Sequence, residues 1–158
     1  MHSDDLSSDD LKRSIVAFAG VTTAENLGDT FFTYDPNGDL PQDRWLPFAT
    51  LVTADNYDAV SDLTRRGAFR VNIGVTKATY SRLLGTPPLE RDEAGLLKTD
   101  ADFTATDVIL PHPFYANQNW LCVVNPGPQT TSLVLDLLAE AYAFAVRKHT
   151  NQRARKNP

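Results

Sequence analysis

The chain has 158 residues, 42% hydrophobic and 22% charged, with a formal net charge of −5. That length suits one compact domain, burying roughly 70% of the surface of its unfolded chain. No run approaches the ~20 apolar residues of a membrane-spanning helix, and a single cysteine, Cys122, excludes an intramolecular disulfide or a thiolate cluster.

The acidic start MHSDDLSSDDLK has no hydrophobic segment, so it reads as neither signal nor transit peptide and the expected location is cytoplasmic. Residues 1–8 read as a disordered N-terminus. Ser7 or Ser8 caps a helix from Asp9 to about Ala19, with Leu11, Ile15 and Phe18 on its inward face. Val21 to Asn26 and Thr30 to Tyr34 are strand-like and joined at Leu27-Gly28-Asp29. A proline-rich loop, 35–47, leads into a strand at Phe48 to Thr53. Residues 54–67 predict a turn or a short helix around Tyr57 to Leu63. In the strand Phe69 to Val75, Phe69, Val71, Ile73 and Val75 face one way and Arg70, Asn72 and Gly74 the other.

Thr76 caps a helix from Lys77 to Leu84, closed by Gly85. Residues 86–106 carry five acids and read as a loop excursion. Asp107 to Leu110 opens the stretch DVILPHPFYANQNWLCVVNPG, in which Trp120 to Val124 is a strand and Cys122 a buried small hydrophobe. Thr130 or Thr131 caps the last helix, running to about His149 with an apolar stripe of Val134, Leu137, Leu138, Ala141 and Ala145. Residues 150–158 form a basic tail. The whole is a single α+β domain over 9–149, an antiparallel sheet of about five strands with helices packed on one face.

The segments FRVNIGV, TKATYSRLLG, NWLCVV and LVLDLLAEAYAFAVRK, with a His-containing loop before the Trp strand, resemble the MmcQ/YjbR-like family of small bacterial proteins. The whole chain, including DTFFTYDP and RWLPFATLVT, resembles a bacterial family of unknown function related to that group. The resemblance covers about residues 10–149. It implies a compact antiparallel sheet with flanking helices and brings no catalytic residue set. DNA binding is suggested for the group from fold alone. Here the first 146 residues carry −10 and only the last twelve, at +5, are basic, so nucleic acid is disfavoured as a partner.

His112, held between Pro111 and Pro113, is the residue best suited to chemistry, because the prolines fix its backbone. It reads either as a proton carrier or hydrogen-bond donor at a cleft, or as a loop histidine bonded to a backbone carbonyl beside Trp120. Tyr115, Asn117, Gln118, Asn119 and Trp120 suggest the wall of an aromatic-polar pocket, to which Arg70 and Asn72 contribute from their strand. The plainer reading pairs Arg70 with an acid and uses the amides to cap turns. His2 and His149 sit at the chain ends, and no histidine spacing matches a metal motif. The segment 35–46 fails as a calcium loop because Leu40 and Leu46 occupy its glycine and glutamate positions. Phosphate loops, dinucleotide fingerprints and nucleophile elbows are absent from the sequence.

These residues lead to a binding or regulatory domain for an unknown small molecule, with no metal, cofactor or membrane partner, working as a monomer or homodimer. The candidate ligand-binding residues are His112, Tyr115, Asn117, Trp120, Arg70 and Asn72. Two alternatives stand beside it: a small cofactor-independent enzyme with His112 as acid or base, and nucleic-acid binding through the basic tail.

Overall fold

The computed structural model describes residues 6–41, 44 and 46–156; the expectations for residues 1–5 (His2 among them), for 42, 43 and 45 in the proline-rich loop, and for 157–158 lie outside the described residues. Six strands form one antiparallel sheet: β1 (Val21–Asn26), β2 (Asp29–Tyr34), β3 (Ala49–Val52), β4 (Arg70–Gly74), β5 (Leu110–Pro111) and β6 (Trp120–Val124), in the order β1-β2-β3-β4-β6-β5. The strand beyond the anticipated five is β5, too short for sequence periodicity to mark. Three helices accompany the sheet: α1 (Ser8–Val16), α2 (Lys77–Leu84) and α3 (Thr131–Lys156).

Helix α1 begins where its cap demands. The Ser7 hydroxyl accepts the Asp10 amide at 3.1 Å, and Asp9 and Asp10 occupy the first turn, where carboxylates offset the helix dipole. The β1–β2 connection is tighter than anticipated. Leu27 and Gly28 both have positive φ, 55° and 88°, which makes a two-residue turn whose twist matches the strands, with Asp29 already in β2. The 54–67 segment takes the turn alternative and contains no helix.

Register places alternate residues on opposite faces. Phe32, Ala49, Ile73 and Leu121 align across four strands on one face, with Leu51, Val71 and Val123 beside them. Against this face pack Leu11 and Ile15 of α1 and Val134, Leu137, Leu138 and Ala141 of α3, all buried in one cluster. Burying a Leu or Ile side chain contributes roughly 1.5–3 kcal/mol, so this layer is the main source of stability.

The turn before α3 is organised by Asp107. Its carboxylate accepts the amides of Gly127 (2.8 Å), Gln129 (3.0 Å) and Thr130 (2.9 Å) and the Thr130 hydroxyl (2.6 Å). The helix runs seven residues past His149, with Arg153 paired to Asp39 at 2.6 Å beyond that point.

The opposite face is covered by loops. The 86–106 segment makes a small hairpin bridged at Arg91 and Leu97, and the Leu97 amide donates to Pro113 O at 2.9 Å. Phe103 packs on Leu110 and Cys122, while Leu63 packs on Val52 and Val124. A gap in this cover is lined by Thr50, Asn72 and Gly74.

Candidate functional site

That gap is a cleft of about 890 Å³. Its floor is the helix-free face of β3 and β4, including Thr50, Arg70, Asn72 and Gly74. His112, Tyr115 and Trp120 line it from the segment preceding and starting β6, and Tyr57 and Asp58 from the 54–67 turns. At the ends of β3 and β4 it bends past Phe48 and Val75 to Ala141, Phe144 and Lys148 on α3.

Five of the six residues singled out from sequence therefore meet in one cavity: Arg70, Asn72, His112, Tyr115 and Trp120. The sixth, Asn117, does not line it. It is exposed on the 3₁₀ turn Ala116–Gln118, where its Oδ1 accepts from Arg91 Nη2 at 3.4 Å.

His112 is 6% exposed. Its Nδ1 accepts the amides of Phe114 (3.0 Å) and Tyr115 (3.1 Å), the first two N–H groups available after Pro113. The plainer of the two sequence readings has the reverse contact, a ring N–H donating to a backbone carbonyl. The difference follows from the prolines, which start a turn whose free amides point back at the ring. With Nδ1 an acceptor, the neutral imidazole carries its proton on Nε2. Nε2 has no hydrogen-bond partner among the described residues. Burial drives the His112 pKa down to about 3, the positive charge of Arg70 pushes the same way, and Asp58 opposes both. At neutral pH His112 is an uncharged N–H donor. It lies beside Trp120, edge to face at 6.3 Å between ring centroids.

Arg70 follows the plainer of its two readings while still facing the cavity. It is 2% exposed and forms a bidentate pair with Asp58, Nη1 to Oδ1 at 3.2 Å and Nη2 to Oδ2 at 3.0 Å. Nη1 also donates to Ser61 Oγ (2.9 Å) and Nε to Asn72 Oδ1 (3.1 Å), and Asn72 Nδ2 donates on to Thr50 Oγ1 (2.9 Å). A polar chain from Asp58 to Thr50 thus crosses the cleft floor. Burial would raise the Asp58 pKa, but the hydrogen bonds and charge of Arg70 outweigh it and hold the carboxyl below its ordinary value.

Trp120 owes its position to Gly74, its direct partner across β4 and β6. A Cβ on Gly74 would stand 2.8 Å from the indole Cε2, so the ring lies flat over bare backbone. Cys122 is fully buried, and burial lifts its thiol to about 12, which leaves it inert.

Sequence reasoning missed Thr50, Asp58, Gly74, Arg91 and Lys148. Asp58 and Arg91 enter from loops by long-range folding. Lys148 did leave a signal, because Ala141, Phe144 and Lys148 follow the 3-4 spacing of one helix stripe. Among the described residues no group of three His, Cys, Asp or Glu side chains is placed to hold a metal ion, and no helix is long and apolar enough to cross a membrane.

Fold and cavity define a one-sheet α+β domain, with helices packed on one face and a cleft that runs from the other face to α3. The chain belongs to a family of unknown function (DUF6194), whose model matches residues 6–154. Comparison with curated proteins finds no match, and none is found among solved structures.

Proposed function

We propose that this domain binds a small organic molecule in the cleft on its helix-free face, and that it does so without catalysing a reaction. The observation that carries the reading is the convergence of Arg70, Asn72, His112, Tyr115 and Trp120 on one cavity of about 890 Å³, within the ~300–1,000 Å³ range of small-molecule sites. A mostly apolar lining with a few fixed polar groups is the usual composition of such sites. His112 contributes a rigid donor. Its Nδ1 lone pair is already engaged and Nε2 is protonated, which disfavours a general base and suits recognition of a ligand acceptor.

The test is a ligand-observed NMR screen of aromatic and aliphatic fragments against the wild type and two blocked variants. Thr50→Trp fills the floor; Gln118→Trp obstructs the rim from an exposed position. Binding to the wild type that is lost in a folded blocked variant supports the reading. No binders, or binders indifferent to both blocks, would overturn it.

We also infer kinship with the MmcQ/YjbR-like group and a bacterial, cytoplasmic setting, supported by the matched segments FRVNIGV and NWLCVV. Nucleic-acid binding through the C-terminal basic residues is the weaker reading. Arg153 is engaged by Asp39, and Arg147 and Lys148 lie over the Phe144 ring.

A further inference from the structure

The charges lining the cleft are not those of the protein as a whole. Among the described residues, four charged side chains face it: Asp58, Arg70, Arg91 and Lys148. Asp58 and Arg70 neutralise each other. Arg91 donates to Gly95 O and Asn117 Oδ1, and neither it nor Lys148 has a carboxylate partner among the described residues. The described lining residues therefore carry +2 in a chain whose net charge is −5. A concave, largely apolar wall strengthens that local field.

Lys148 shows where the field is least satisfied. Its ammonium stands 4.4 Å over the centroid of the Phe144 ring, and partial burial holds its pKa below the ordinary lysine value. An ammonium losing water without gaining a counterion is disfavoured, so an anion beside it would be stabilised on arrival. The body of the occupant is set by the rest of the lining. At least seven of the fifteen Phe, Tyr and Trp side chains face the cleft, Trp120, Tyr115 and Phe31 among them. Such walls favour a flat apolar body. Two cations on separate elements, with no glycine-rich turn of backbone amides among the described lining residues, suit a single carboxylate better than a dense polyphosphate.

Resting on the binding role inferred above, we propose that the cleft takes an organic carboxylate with a planar apolar body, its anionic group toward Lys148 and a hydrogen-bond acceptor toward His112 Nε2. The probes are 2-naphthoate, its neutral isostere 2-naphthamide and the cationic 2-naphthylmethylammonium, titrated by calorimetry at low salt into wild type, Lys148→Met, Arg91→Gln and Gln118→Trp. Methionine keeps the aliphatic stem over Phe144 and removes the charge.

The expected result is naphthoate binding at least about tenfold tighter than naphthamide, an energy difference typical of one charge-assisted contact. Lys148→Met should erase most of that preference while leaving the amide within about twofold. Arg91→Gln should reduce the preference by a smaller factor. Equal binding of acid and amide, both blocked by Gln118→Trp, overturns the carboxylate assignment and leaves the binding role standing. Tighter binding of the amine has the same meaning. A preference unchanged in both charge variants overturns the assignment to these cations. If none of the three probes binds, or Gln118→Trp blocks none of them, the assignment and the site both fall.

Discussion

His112 makes a quantitative prediction about stability and pH. In the unfolded chain its imidazole titrates near 6.5; in the folded chain burial and the nearby Arg70 lower that to about 3. Between those values the unfolded state holds one proton more than the native state. Stability therefore rises with pH at about 1.4 kcal/mol per unit across this window and is lost as pH falls below 6.5. At pH 5 the loss relative to pH 7.5 is about 2 kcal/mol. That figure depends only on the unfolded value, provided the folded pKa stays below about 4. The carboxylates whose pKa values are held down, Asp58 and Asp107 among them, add losses of the same sign, confined to the region below ordinary carboxylate pKa values. The measurement is urea unfolding at pH 7.5, 6 and 5 for the wild type and His112→Asn. Asparagine can still accept the two backbone amides through its side-chain oxygen but does not titrate. A flat wild-type profile over this range, or a slope that persists in His112→Asn, would refute the argument.

Asp58→Ala leaves the Arg70 guanidinium buried without its carboxylate and should cost about 3–5 kcal/mol in the same assay. The double variant Arg70→Met/Asp58→Leu should lose clearly less than the sum of its single changes, as a double-mutant cycle would show. Gly74→Ala drives a Cβ into the Trp120 indole, so a loss of about 1–3 kcal/mol is expected, with a displaced Trp120 indole N–H resonance in NMR spectra. Asp107→Asn retains an acceptor oxygen and tolerates the local φ of 58°, giving a loss of about 1 kcal/mol. Asp107→Ala removes all four hydrogen bonds and adds strain, so its loss should be about 3 kcal/mol, again read by urea unfolding.

Alternation in FRVNIGV identified both faces of β4, and the side chains of Arg70 and Asn72 fall on the cleft side as that alternation requires. Caps were equally legible: Ser7 and Thr76 hold the helix starts that their short polar side chains advertise. Residues paired through long-range register were not. Nothing local tells that Gly74 stands opposite Trp120, or that Asp58 reaches Arg70, because both facts depend on how the loops close. The 86–106 excursion is tied down by Leu97 and Phe103, buried apolar side chains in a mostly polar segment with no periodicity to flag them. The extension of α3 carries the exposed Arg153–Asp39 pair, a tertiary contact that no local pattern in the sequence marks.

The most direct check on the central claim is a map of amide and side-chain resonance shifts as the tightest fragment from the screen is titrated into the wild type. The account predicts that the largest shifts fall on the Trp120 indole N–H, the His112 Nε2–H, the Asn72 side-chain amide and the Gly74 backbone amide. Shifts confined to the helix-covered face or to residues 92–103, with these four unmoved at saturation, would contradict it.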